Sequence, residues 1–268
     1  MQEPTITSRH NPRLKQAAAL RDRRERRATG RLLVDGARET FRAIEAGVRP
    51  VEAFVDVDAH GDRIQAAIST LEATGVPIHR VTSEPFEKLA YGQRADGVVL
   101  VAEAELGDLS GLSVGDRPLL LLVEGVEKPG NLGAMLRTAD GVGVDGVIVI
   151  DPRVDLFNPN VIRASVGAVF QKQVVVASVD DARRWLGERG VSIYAARPDA
   201  ELLYTEADCT GACALLVGSE AEGLTDSWGG DQVQAVRLPM HGVADSLNVS
   251  TAAAVLMYEA RRQRDAAQ

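Results

Sequence analysis

From residue 118 onward the chain carries a series of short, dense apolar runs, at 119–124, 146–150, 173–177, 191–196, 213–218 and 235–239. None alternates apolar with polar residues, as a strand with one wet face would. Strands apolar on both faces belong to parallel sheets covered by helices on each side. The intervening and following stretches 131–141, 159–170, 180–188 and 248–264 have helical periodicity and length. This alternation predicts a mostly parallel α/β sheet with helices on both faces. Such sheets hold ligands in loops at the carboxyl ends of their strands.

The first hundred residues read as a smaller α/β unit. Pro12 after Asn11 suits a helix start, and residues 12–27 are helical in composition. In 36–46, Ala37, Phe41 and Ile44 stand at helical spacing before Gly47. Further helices are predicted at 63–74 and 84–91, between β-rich stretches at 51–57, 77–82 and 97–104. Residues 105–117 are rich in glycine, lack periodicity and are expected to be a linker. The expected division is therefore 1–104, 105–117 and 118–268. A chain of 268 residues is long enough for two modest domains.

The net charge of −8 argues at first against a nucleic-acid partner. Its distribution reverses that. Residues 1–31 hold nine basic side chains against three acidic ones, a local +6 that leaves −14 for the remainder. Arg23, Arg24, Arg26 and Arg27 crowd one short stretch, as expected of a phosphate-binding patch on an otherwise acidic surface; a solvated helix face is the bland alternative. No apolar run reaches the roughly 18 residues that would cross a membrane, and the amino terminus lacks a signal-peptide core. A cytoplasmic protein is expected. Cys209 and Cys213 have no histidine or second cysteine pair nearby, so no metal site is expected.

Three loops carry the chemistry. The first, Glu-Lys-Pro-Gly-Asn-Leu-Gly-Ala-Met-Leu-Arg over 127–137, offers Asn131, a possible helix cap, and Arg137. The second, Gly-Ser-Glu-Ala-Glu-Gly over 218–223, has a glycine that permits a sharp turn and close backbone approach to a flat ligand. Glu222 in it reads as a charge in the first turn of a helix. The third, Leu-Pro-Met-His-Gly-Val-Ala-Asp-Ser-Leu-Asn-Val-Ser over 238–250, leads into a helix whose amino end offers Ser246 and Asn248. His241 within it is expected to be a bystander. No P-loop is present, nor the Gly-x-Gly-x-x-Gly of a nicotinamide-binding fold after the first strand of 118–268.

Together these strings resemble the three motifs of the SpoU family of RNA ribose 2′-O-methyltransferases, in the SPOUT superfamily. The resemblance covers 118–262 strongly and 8–104 more loosely. It implies a methyltransferase domain with a deep trefoil knot, behind an amino-terminal α/β domain that binds RNA. It further implies S-adenosylmethionine as cofactor, held around Val217, Gly218, Leu238, Met240 and Leu247. Catalysis would fall to Arg137, with Asn131, Glu220, Ser246 and Asn248 organising it and the ribose. RNA would meet Arg23, Arg24, Arg26, Arg27 and, in a further family-like segment, Arg163. Because an arginine is effectively always protonated, Arg137 is read as orienting a phosphate and stabilising the forming alkoxide rather than as a base. A homodimer joined through the methyltransferase domain is implied, with the carboxy-terminal helix as its surface. The two-domain layout favours ribosomal RNA as substrate; transfer RNA, or RNA binding without catalysis, are the alternatives.

Overall fold

The computed structural model describes residues 4–90, 96–171, 173–219 and 222–267. In chain order the first elements are α1 (Pro12–Ala19), α2 (Arg23–Thr29), β1 (Arg31–Asp35), α3 (Ala37–Glu45), β2 (Arg49–Asp56), α4 (Asp62–Thr74), β3 (Ile78–Val81), α5 (Ser83–Phe86) and β4 (Val98–Glu103). There follow β5 (Leu119–Glu124), α6 (Pro129–Val142), β6 (Gly146–Ile150), α7 (Pro159–Ala164), β7 (Val174–Ala177), α8 (Val179–Glu188), β8 (Ser192–Ala196), β9 (Leu202–Leu203), β10 (Cys213–Val217), β11 (Val233–Arg237) and α9 (Val249–Ala266). They divide into two compact units. One comprises Met1–Glu105 with Asp155–Gln171, the other Leu106–Val154 with Lys172–Gln268.

In the first unit the strands form a four-stranded sheet in the order β1-β4-β2-β3. Here β4 runs antiparallel to β1 and β2, while β2 and β3 are parallel. The single helix expected over 12–27 is two. The Asp22 side chain accepts from the Arg24 amide and caps a new helix there, just after Leu20 has closed α1. The helix expected at 84–91 is only the single turn α5; Phe86 and Leu89 are buried in the unit's core through the turn that follows, and residue 91 lies outside the described residues.

The face of α3 also differs from expectation. Ala37, Glu39, Thr40 and Ala43 are buried, whereas Phe41 is 40% exposed. The helix packs on β1, β4 and α4 and on the 3₁₀ turn Ala168–Phe170, which rolls the 36/39/40/43 stripe inward. Burial, with the nearby Asp96 carboxylate adding to it, holds the Glu39 carboxyl above its ordinary pKa.

The segment Asp155–Gln171, expected inside the methyltransferase domain, packs with the first unit. Three arginines account for that. Arg26 binds Asp155, Arg42 donates to the Val166 carbonyl at 2.9 Å, and Arg163 pairs with Asp35 at 3.6 Å. The helix expected over 159–170 stops at Ala164, because Val166 (φ 54°) and Gly167 (φ 82°) turn left-handed. A β-carbon at Gly167 would sit 3.1 Å from that of Arg42, so the close packing on α3 also needs glycine.

The second unit holds a seven-stranded sheet in the order β7-β6-β5-β10-β8-β11-β9, with every pairing parallel. Every residue of β5, β6 and β10 is buried, as their unbroken apolar sequences require. Residues 106–117 are not the expected linker. Gly107 accepts from the Val176 amide beside β7, and Leu112 enters the core with Leu120, Trp185 and Leu186. At the carboxyl end of the unit, Arg264 on the last turn of α9 donates to the carbonyls of Cys209, Arg117, Pro118 and Gly211. That cluster satisfies turn carbonyls and pins the helix across β10.

Glu39 makes the first unit's stability depend on pH. Since its folded pKa is raised, its contribution is fully present below its unfolded pKa and lost as pH rises through the folded value. Glu39→Gln should therefore raise the melting temperature at pH 8 and flatten its fall between pH 5 and 8. Calorimetry across that range checks this; an unchanged pH profile would refute it.

Candidate functional site

The β5–β10 register pairs Val123 with Val217, and the β10–β8 register pairs Leu216 with Ala195. The chain therefore leaves these neighbouring strands side by side at one sheet edge. Gly218 turns there with no room for a side chain. A β-carbon would lie 2.5 Å from the Gly223 carbonyl and 2.7 Å from the Leu224 nitrogen, all backbone atoms that cannot swing away. Ser219 and Gly223 exchange backbone hydrogen bonds at 2.9 and 3.0 Å, closing the second loop at its base. Glu220 lies outside the described residues.

Glu124 anchors the chain beyond that loop. It is 4% exposed, and its carboxylate accepts from the Thr225 amide and hydroxyl and from the Trp228 indole at 2.8–3.0 Å. Sequence reading took Glu124 only as the end of a strand. A carboxylate closing a run of buried leucines is itself the signal, since burial demands such partners.

Above this edge lies a cavity of about 580 Å³. All five residues expected to hold the cofactor line it: Val217, Gly218, Leu238, Met240 and Leu247. Ser246 and Asn248 line it too. The volume falls within the range of small-molecule sites, and walls that mix apolar with polar and charged side chains suit a nucleoside with an amino-acid arm. Asn248 caps α9 by accepting from the amide and hydroxyl of Ser250, while its Nδ2 donates to Asn131 Oδ1 at 3.2 Å. This bond joins the first and third loops. Asn131 is not the expected cap: α6 starts at Pro129, with Lys128 preceding it.

Arg137 is exposed on α6 and does not line the cavity of its own chain. His241 is exposed and also outside it. Glu222 is in a turn, not a helix, and pairs with Arg153, which also reaches Glu127; the two bonds measure 2.7 and 2.8 Å. Hydrogen bonding to Glu127 and then to Glu222 raises the Arg153 pKa further. Arg153 thus clasps the first and second loops. Nothing in its local sequence marked it, because the contact exists only once β5, β6 and β10 are aligned.

Of the arginines expected to meet RNA, Arg23, Arg24 and Arg27 are exposed on α2. Arg26 is a correction. It is 6% exposed and fully engaged, with Nε and Nη2 on Asp155 at 2.9 and 2.5 Å and Nη1 on the Leu20 and Arg21 carbonyls. One face of a short helix must point inward, and Arg26 is on it. Arg163 is one-third exposed and paired with Asp35. Among the described residues no cluster of His, Cys, Asp and Glu could hold a metal, and no helix is long and apolar enough to cross a membrane.

A model of the SpoU rRNA Methylase family matches residues 118–258. The chain belongs to this family. A second model, the MRM3-like substrate binding domain, matches residues 11–100. The 23S rRNA (guanosine-2′-O-)-methyltransferase RlmB of Bordetella pertussis is 36% identical over 234 residues, covering 84% of this chain and 96% of that protein. A crystal structure of an RNA 2′-O ribose methyltransferase aligns with a TM-score of 0.87 at 38% identity, covering 97% of this chain and 99% of its own. An AdoMet-bound rRNA methyltransferase from Sinorhizobium meliloti aligns at 0.86 with 26% identity, covering 97% of each chain.

The steric demand at Gly218 gives a direct test. Gly218→Val should abolish binding of S-adenosylhomocysteine in titration calorimetry, because the loop must open by an ångström or more to admit the side chain. Binding at wild-type affinity would mean that the second loop is not part of the ligand site.

Proposed function

We propose that this protein transfers the methyl group of S-adenosylmethionine to a ribose 2′-hydroxyl of ribosomal RNA. The observation that carries the reading is the cavity of about 580 Å³ in which the second and third loops meet, with the Asn131–Asn248 bond tying in the first. Its volume, its mixed apolar and polar walls and the side-chain-free cradle at Gly218 fit an adenosyl group. The family, and the activities named for its relatives, support the same reaction. Incubating the protein with radiolabelled S-adenosylmethionine and ribosomal RNA should place label on ribose 2′-oxygens. Label on a base, or none on RNA, would defeat the proposal.

When bound, S-adenosylmethionine supplies an electrophilic methyl on a sulfonium sulfur. The chain's own residues position and stabilise. Asn131 and Asn248, fixed against each other, orient the ribose for in-line attack, and Ser246 adds a hydroxyl beside them. Arg137 holds phosphate oxygen and stabilises the alkoxide as the hydroxyl loses its proton. We place Glu220 in support of that group, as its motif position implies.

The protein works as a homodimer in this reading, with α9 at the interface. Tyr258 on α9 is 57% exposed, and Arg137 stands outside its own chain's cavity, so each protomer's Arg137 serves the partner's site. Arg137→Ala should bind cofactor normally yet lose methyl transfer by roughly a hundredfold or more. Mixing it with Gly218→Val, also inactive, should restore activity through heterodimers. No recovery on mixing would put Arg137 in its own chain's site. We also assign to the methyltransferase domain the trefoil knot of its family, and to the protein a cytoplasmic location.

The first unit is proposed to grip the RNA substrate, with Arg23, Arg24 and Arg27 on α2 and Arg163 contacting phosphates. Arg24→Gln with Arg27→Gln should weaken RNA binding and lower the logarithmic salt slope by about one for each lost contact. Arg26→Gln should instead lower stability by about 3 kcal/mol, since it leaves the partly buried Asp155 without its ion pair. Salt-dependent binding and urea unfolding separate the two effects; an unchanged slope in the double variant would show α2 to be merely solvated.

A further inference from the structure

The cofactor reading leaves Arg197, on the wall of the cavity, without a role. Arg197 follows β8 directly, and its amide donates to the Val236 carbonyl at 3.0 Å, which fixes its backbone against β11. Its side chain is half-buried and lines the cavity beside Ala196, Pro198 and Val236. Among the described residues the guanidinium has no hydrogen bond or ion pair. Every other partly buried arginine considered above is held by a carboxylate or by carbonyl oxygens. A half-buried cation on the wall of an open cavity, bonded to neither of the carboxylates that also line it, Glu222 and Asp245, is a position that an anionic ligand group would complete.

The sheet order says which group. The Asn131–Asn248 pair gathers at the start of α6, beyond β5, whereas Arg197 leaves β8, two strands away across β10. At the usual strand spacing that separation is roughly 10 Å. Arg197 therefore stands away from the reaction end, which the exposed Lys128 flanks instead. S-adenosylmethionine carries a single anionic group, the carboxylate of its methionyl arm; its adenine is neutral.

We propose that Arg197 binds the methionyl carboxylate of the cofactor and makes the site selective for ligands that carry it. A planar guanidinium can take both carboxylate oxygens at once, which a lysine cannot. The proposal rests on the reading of this cavity as the cofactor site, and its test separates the two.

The probes are S-adenosylmethionine, its decarboxylated analogue and 5′-methylthioadenosine, which lacks the amino-acid arm altogether. Each is titrated into the wild type, Arg197→Gln and Arg197→Lys. The wild type should prefer S-adenosylmethionine over the decarboxylated compound by roughly tenfold to a hundredfold, as expected of a charge-assisted pair. In Arg197→Gln that preference should collapse to within about twofold, with methylthioadenosine affinity unchanged and the melting temperature retained; Arg197→Lys should recover only part. Equal losses for all three ligands would overturn the assignment and place Arg197 on the adenosyl half or in loop structure. Unchanged cofactor selectivity with weakened RNA binding would also overturn it, in favour of an RNA phosphate. If the wild type binds none of the three, the cofactor reading itself falls.

Discussion

The pairing of β5 with β10 is the constraint on which the site depends. These strands, Leu119–Glu124 and Cys213–Val217, are about ninety residues apart in sequence, yet lie in direct register with every side chain buried. A slip of one residue would turn each buried face over and strand Glu124 away from Thr225 and Trp228. With the register fixed, the first and second loops leave the sheet as neighbours. Arg153 can then clasp them, and the start of α9 can tie to the first through Asn248.

Arginine divides its labour along lines that burial decides. Arg26, Arg42 and Arg264 spend their donors on carbonyls and carboxylates and act as internal cross-links. Arg24, Arg27 and Arg137 are exposed and face solvent. The acidic surplus elsewhere in the sequence would repel RNA from most of the surface. Binding would then be confined to the basic minority, which favours a specific footprint over indiscriminate attachment.

Much of this was legible in the residues, and the misses have physical causes. The strands at 119–124 and 146–150 match their expected bounds, because a fully apolar run with turn residues on each side has no competing solution. The five residues named for the cofactor line one cavity. What periodicity could not show is competition over longer range. Asp22 splits a helix by capping a second one, Val166 and Gly167 end another, and α3 buries Glu39 and exposes Phe41 because its neighbours come from distant parts of the chain. The basic run at 21–27 misled in one member: composition counts charges, while a seven-residue helix must hide some of them. Residues 106–117, polar and glycine-rich, looked like a tether, yet Leu112, with Leu109 and Val114 packed beside it and Gly107 bonded to Val176, draws them onto the core.

The anchoring of α9 by Arg264 has a consequence for synthesis. The helix begins at Asn248, in the cavity wall, and its far end is tied to carbonyls near residues 117 and 210. Every other part of the cavity precedes it in sequence, so the lining is made first and left open. The pocket closes only after residue 264 has left the ribosome and folded back across β10.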